Sequence, residues 1–473
     1  MSEIQSNVAI PLSKNKKIMT ELGGICFVLA GTMVGSSIAT LQSHILTEMN
    51  AMEYFSLLSI ISTLGLVIMT PIGAKIGDII GRRNVLIVSG IACVLACIGM
   101  GFIRNFMLFA VLRLIFGMAQ GAYISSPYIL ARELNEPKDV PKSMGALATS
   151  IAAGGFVGSI VAGILKDMGR LDTAIMFPSL FFIIGIALIY FNLPNKRREG
   201  KVFIDIPGII TLSVSLVGIL LSLNFGSKIG WTDMKIITSF LIGITALAGF
   251  IQIEKKSKEP IISMHLFKNR SYVSLLIVGF ICYFYMSAMS AYAPLAVQKV
   301  LGASGTVAGA LQMPRTIITM ILPIVAGIWI SKDSQNAWKA MGIATLFVAI
   351  PYIVLSRTTV DTSVMLYFIM LSITGIAESF RGVSITPAAQ ATLKPENLGV
   401  GTSLVNFANT LAILISSVIC GIAYDLNTKS NPKDVGNITA GVNSVFMIVG
   451  VVNIIGFLIV MLVIRKQMKN DIV

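Results

Sequence analysis

Three charged residues sit where charge is expensive. Arg113, Glu378 and Arg381 fall inside long apolar runs, and an ionisable side chain at bilayer depth is a candidate functional group by default. Glu378 and Arg381 are spaced i, i+3, so on a helix they share a face and can pair. Two readings of that pair stand. It can be a self-satisfied ion pair that makes burial tolerable. Alternatively, Glu378 can carry a proton, because burial and a neighbouring guanidinium pull a carboxyl group's proton affinity in opposite directions and two conformations could load and release it. Arg113 also admits two readings: a hydrogen-bonded knot to backbone carbonyls or Gln120, or contact with a coupling ion or cargo. Tyr283, Tyr285 and Tyr292 share one apolar run and could pack, stack on an amphipathic ligand or hydrogen-bond to it. Arg315, next to Pro314 near a helix end, reads as an arginine that snorkels to the interface.

The elements that must hold these residues are membrane helices. The chain has 473 residues, 55% of them hydrophobic and 12% charged. Its mean hydropathy is +0.84. Continuous apolar stretches predict about fourteen spanning helices, and their lack of alternation argues against a barrel. The expected fold class is an all-α polytopic membrane protein. The net charge of +14 lies mostly in short loops, where it meets lipid headgroups and sets orientation rather than binding nucleic acid. Placing both termini in the cytoplasm puts most Lys and Arg on that side. The polar start Met1–Thr20 carries no cleavable signal pattern. All five cysteines fall in apolar segments and read as small buried hydrophobes.

Two basic linkers divide the chain. One runs over 195–205 with Lys196, Arg197, Arg198 and Lys201; the other runs over 254–270 with Lys255, Lys256, Lys258, Lys268 and Arg270. The expected division is a six-helix bundle over 1–194, a two-helix insertion over 195–270 and a second six-helix bundle over 271–473. The stretches Gly117…Gly121, Gly154…Gly158 and Gly305…Gly309 have the small-residue spacing that lets helices approach closely.

The loop Gly73-Ala74-Lys75-Ile76-Gly77-Asp78-Ile79-Ile80-Gly81-Arg82-Arg83 is short, charged and glycine-rich between two apolar runs. Its spacing resembles the loop signature of the major facilitator superfamily. Gly226…Gly230-Trp231-Thr232, the segment Glu259-Pro260 through Asn269-Arg270, and Ala308-Gly309-Ala310-Leu311-Gln312-Met313-Pro314 look like its fourteen-helix drug:proton antiporter branch. The resemblance implies a major facilitator fold in a 6+2+6 arrangement and alternating access. It implies a substrate cavity lined by helices 1, 4, 9 and 12, to which Arg113, Gln120, Glu378, Arg381, Tyr283, Tyr285 and Tyr292 would contribute. Arg113 matches a helix 4 arginine linked in the family to proton coupling. Gly73, Asp78, Gly81, Arg82 and Arg83 would form the inner gate loop. The helix 5 motif corresponds to Gly154, Gly158, Ser159 and Gly163, with Ser159 standing for a proline and Ala162 for a glycine. In helix 1, Ala30, Gly35 and Ala39 replace an Asp, an Asn and a Pro. These departures leave the fold expectation intact and weaken what the resemblance implies about antiport and a cationic cargo.

Other classes fit poorly. No phosphate-binding Gly-x4-Gly-Lys-Ser/Thr loop occurs, and His44 and His265 stand apart from any ligand cluster, so neither an ATP-driven pump nor an enzyme is expected. No cofactor and no metal are expected. The expected activity is secondary active transport in the cell membrane, as proton-coupled efflux of hydrophobic or amphipathic small molecules by a monomer. The alternatives are proton-coupled uptake of an organic anion such as a bile-acid-like compound, and a transporter-like receptor. Two arginines against one glutamate favour an anionic or zwitterionic cargo.

Overall fold

The structure, a computed structural model, describes residues 12–51, 54–195, 205–257, 262, 264–428, 431 and 434–470. Lys196, Arg197, Arg198 and Lys201 of the first linker, and Lys258, Glu259, Pro260, Ile261 and Ser263 of the second, lie outside the described residues.

Among the described residues, fourteen helices are long and apolar enough to cross a membrane. In chain order they are helix 1 (Lys14–Gln42), helix 2 (Ile61–Ile80), helix 3 (Arg82–Phe102), helix 4 (Phe106–Leu134), helix 5 (Val140–Asp167), helix 6 (Leu171–Asn192), helix 7 (Ile206–Leu223), helix 8 (Met234–Lys256), helix 9 (Arg270–Lys299), helix 10 (Val307–Lys332), helix 11 (Asn336–Leu355), helix 12 (Val364–Ala391), helix 13 (Pro395–Thr428) and helix 14 (Val435–Met468). No strand occurs among the described residues. Large apolar side chains such as Leu95, Phe191 and Leu462 stay exposed along these helices. That surface would be a liability in water and is the required one in hydrocarbon.

The chain divides into two compact units. The first comprises Met1–Val217, Ile242–Met264 and Leu393–Phe407; the second comprises Gly218–Leu241, His265–Thr392 and Ala408–Val473.

In the first unit, helix 2 packs on helix 4 and helix 1 on helix 5. Between lipid-facing helices there is no hydrophobic gain to share, so close van der Waals fit must hold them. Glycine supplies it. A methyl group at Gly117 would strike the Ser62 carbonyl of helix 2, and one at Gly121 would strike the Leu66 carbonyl. On the other pair, Gly154 faces Thr32 and Gly158 faces Ser36 and Met33, and the Ser37 hydroxyl donates to the Gly158 carbonyl at 3.0 Å. Aromatic rings fill the space behind: Phe27 meets Tyr123 and Phe182 edge-on at 5.0 and 5.7 Å. The third glycine pair behaves differently. Nothing lies within 4 Å of a side chain added at Gly305 or Gly309, so these glycines bring no helix close.

In the second unit, helix 12 packs against helices 10 and 11, and helix 11 also against helix 14. Helix 9 is not continuous. An α-helix over Arg270–Tyr283 gives way to a turn, a wider π-helical stretch at Ala288–Tyr292 and a short α-helix over Ala293–Lys299. Such π-bulges change the angular phase of every residue beyond them.

Candidate functional site

The break in helix 9 lies beside the charged residues of helix 12. Glu378 stands on helix 12 with its side chain 21% exposed, and it is the hub of a cluster. Its Oε1 takes an ion pair from Arg381 Nη2 at 3.0 Å, as the i, i+3 spacing requires. Its Oε2 is paired with Arg315 of helix 10. The Tyr285 hydroxyl ties the two together: it accepts from Arg315 Nη2 at 3.0 Å and donates to Glu378 Oε2 at 3.4 Å. Arg381 also donates from Nη1 to the Cys282 carbonyl at 3.0 Å, and the Tyr283 ring covers its guanidinium at 3.7 Å.

Arg315 is a correction. It is 7% exposed and faces Glu378 instead of snorkelling to an interface. The local reason is Gly375, one helical turn before Glu378. A side chain there would sit 2.9 Å from the Arg315 carbonyl and 3.2 Å from its Cγ. The missing Cβ is what lets helix 10 cross helix 12 closely enough for Arg315 to reach the carboxylate.

The electrostatics are lopsided. Two buried guanidiniums share one carboxylate, and the Nε atoms of both Arg315 and Arg381 are buried without a hydrogen-bond partner. An unmatched charge in a low-dielectric interior is costly, so the cluster carries a surplus of positive charge that favours an anion.

Not every tyrosine expected at the site reaches it. Tyr283 and Tyr285 do. Tyr292, beyond the π-helical stretch, instead meets the Tyr424 ring at 5.5 Å.

In the first unit, Arg113 of helix 4 is 8% exposed, and its Nε and Nη1 have no hydrogen-bond partner. The hydrogen-bonded knot with Gln120 therefore does not form at these atoms. Gln120 lies with Tyr123 against Gly31 of helix 1. Of the helix 5 residues, Gly154 and Gly158 are closely packed, Gly163 faces open space, and Ser159 shares a 2.7 Å hydrogen bond with Thr40.

The loop between helices 2 and 3 turns at Gly81, whose φ of 92° is a conformation that L side chains rarely adopt. Arg82 pairs with Asp78 at 3.1 Å and with Glu133 of helix 4 at 3.1 Å. Arg83 donates to the Tyr190 carbonyl at 2.8 Å. Asp78 also faces the first turn of helix 13: a side chain at Gly399 would lie 2.6 Å from its carboxylate. A carboxylate there is favoured by the positive end of the helix. Asp78 thus meets both an arginine and a helix N-terminus. Glu133 is a partner that sequence reasoning missed.

A family model, that of the Major Facilitator Superfamily, matches residues 23–417. The multidrug transporter protein MdtP of Bacillus subtilis is 25% identical over 400 residues, covering 84% of this chain and 73% of its own length. Multidrug resistance protein 3 of the same organism is 25% identical over 407 residues, covering 85% of this chain and 78% of its own. Among solved structures, the human organic anion transporter MFSD10 (TETRAN) superposes with a TM-score of 0.65 at 15% identity, covering 95% of this chain and all of that one, a likeness of fold.

Proposed function

The chain belongs to the major facilitator superfamily, and on that premise we propose that it is a proton-coupled secondary transporter of amphipathic small molecules in which Glu378 carries the proton. The observation that supports this most is the position of Glu378 between Arg315 and Arg381, which come from different helices. A carboxylate held by two cations loses both ion pairs when it is protonated, so proton binding changes what joins helix 10 to helix 12. Alternating access needs such a state-dependent tie.

Export in exchange for protons is the leading direction of this reading, and its multidrug-type cargo draws on relatives named a multidrug transporter protein and a multidrug resistance protein. A second reading, proton-coupled uptake of an organic anion, draws on the surplus of guanidinium at the cluster. The six-two-six division of the chain, the loop at Gly81 as an inner gate, and a cell-membrane location with both termini cytoplasmic belong to the same proposal.

The test is substrate-induced pH change in proteoliposomes, wild type against Glu378→Gln. Loss of the proton signal with retained substrate binding is the expected result. Coupling that is unchanged in the variant removes Glu378 as the carrier.

A further inference from the structure

We propose that Arg315 and Arg381 form the binding site for an anionic group of the cargo, and that Glu378 is a tethered anion occupying that site whenever the cargo is absent. The proposal rests on Glu378 being the proton carrier and adds the class of cargo and the sign of the coupling.

Four observations carry it. The two guanidiniums approach one carboxylate from separate helices, each giving an Nη2 to a different oxygen, which is how a carboxylate-sized anion is gripped. Their charge exceeds that of Glu378, and both retain a buried Nε with no partner. Of the three side chains, Glu378 is the most open, at 21% against 8% for Arg315 and 5% for Arg381, so the face it occupies is the reachable one. Finally, the Tyr283 ring covers the Arg381 guanidinium at 3.7 Å, an aromatic face suited to the apolar body of an amphiphile, while the fully buried Tyr285 holds the cluster together by hydrogen bonds.

The exchange balances. A proton joins the Glu378 carboxylate, its ion pairs to Arg315 and Arg381 open, and oxygens of the incoming anion accept the freed N–H groups. Two guanidiniums face one anion before and after, so the net charge of the cluster does not change. Among the described residues, the cluster meets Tyr283, Tyr285 and Cys282 of helix 9, and Tyr285 in turn meets Tyr352 of helix 11. Of these groups, only Glu378 has an ordinary pKa on the acid side of neutrality. Proton and anion therefore bind together and travel in the same direction, which takes the second of the two readings above, proton-coupled anion transport, over exchange for protons. A cationic cargo would need the opposite arrangement: it would require Glu378 ionised and would face two guanidiniums.

The experiment is equilibrium binding to the purified full-length protein. The probes are a dansyl-labelled undecyl sulfonate, which stays ionised, its neutral alcohol and its trimethylammonium analogue. For the wild type, sulfonate binding should tighten from weakly alkaline to weakly acid pH. In Glu378→Gln it should be roughly tenfold tighter than wild type on the alkaline side, with the pH dependence gone. The double variant Arg315→Gln/Glu378→Gln removes one charge of each sign and guards against misfolding; it should keep the wild-type thermal transition and lose sulfonate binding. The proposal is overturned if Glu378→Gln leaves sulfonate affinity unchanged or weakens it, if the three probes bind alike, or if the trimethylammonium analogue binds best. None of these readings uses proton flux. A failure of transport coupling in proteoliposomes is therefore distinguishable from a failure of the anion site.

Discussion

Gly375 and Arg315 are in backbone contact across helices 12 and 10: a Cβ on Gly375 would come within 2.9 Å of the Arg315 carbonyl oxygen. A carbonyl cannot swing aside as a side-chain tip can. Gly375→Val should therefore push helix 10 outward and cost about 1–3 kcal/mol by overpacking. The thermal transition of the purified protein should fall and the sulfonate probe should lose affinity. A variant with wild-type stability and binding would show that the crossing is not this tight.

The cluster predicts an order of damage. Glu378→Ala leaves two guanidiniums without their shared anion, whereas Arg315→Gln leaves the Glu378–Arg381 pair matched. Breaking a buried pair costs about 3–5 kcal/mol at most, and the partial exposure of Glu378 lowers that figure. Glu378→Ala should be the less stable of the two by thermal unfolding in one detergent. The reverse order would contradict a surplus of positive charge.

Two glycine pairs with the same spacing should respond differently. Gly117→Val places atoms on the Ser62 carbonyl and should abolish folded material on size-exclusion chromatography. Gly309→Ala places its Cβ where nothing lies within 4 Å and should change stability by no more than about 0.5 kcal/mol.

Asp78 faces the start of helix 13 at Gly399. Asp78→Asn keeps the shape and removes the charge, which should cost about 0.3–1 kcal/mol of helix-terminus stabilisation. Hydrogen exchange of the first-turn amides of helix 13 should accelerate. Unchanged exchange would mean that the carboxylate does not act on this terminus.

Much of this could be read from the sequence because a bilayer writes long, continuous apolar runs, and fourteen such helices are present. The pairing of Glu378 with Arg381 was legible because it is local to one helix. Arg315 was not. Its place beside Pro314 does mark a helix start, at Met313, but which helix it faces is not a property of its neighbours in sequence. Gly375 was the one available signal, a glycine one turn from a buried acid. Tyr292 stands outside the Glu378 cluster for a related reason. Regular helical spacing from Tyr285 keeps the two on one face, and the π-helical stretch at Ala288–Tyr292 breaks that spacing. The pair Gly305 and Gly309 carries the motif without a neighbour to use it.

The interruption of helix 9 has a mechanical meaning. An unbroken helix resists bending through its own ladder of hydrogen bonds, but at this joint side chains from other helices hold the backbone: Arg381 grips the Cys282 carbonyl and Ser416 the Phe284 carbonyl. The stiffness of the rod at that point therefore depends on two side-chain fastenings as well as on backbone bonds such as Phe284 to Ile281. One of them belongs to a guanidinium that also answers to Glu378, so the flexural rigidity of helix 9 and the charge state of helix 12 share a single component.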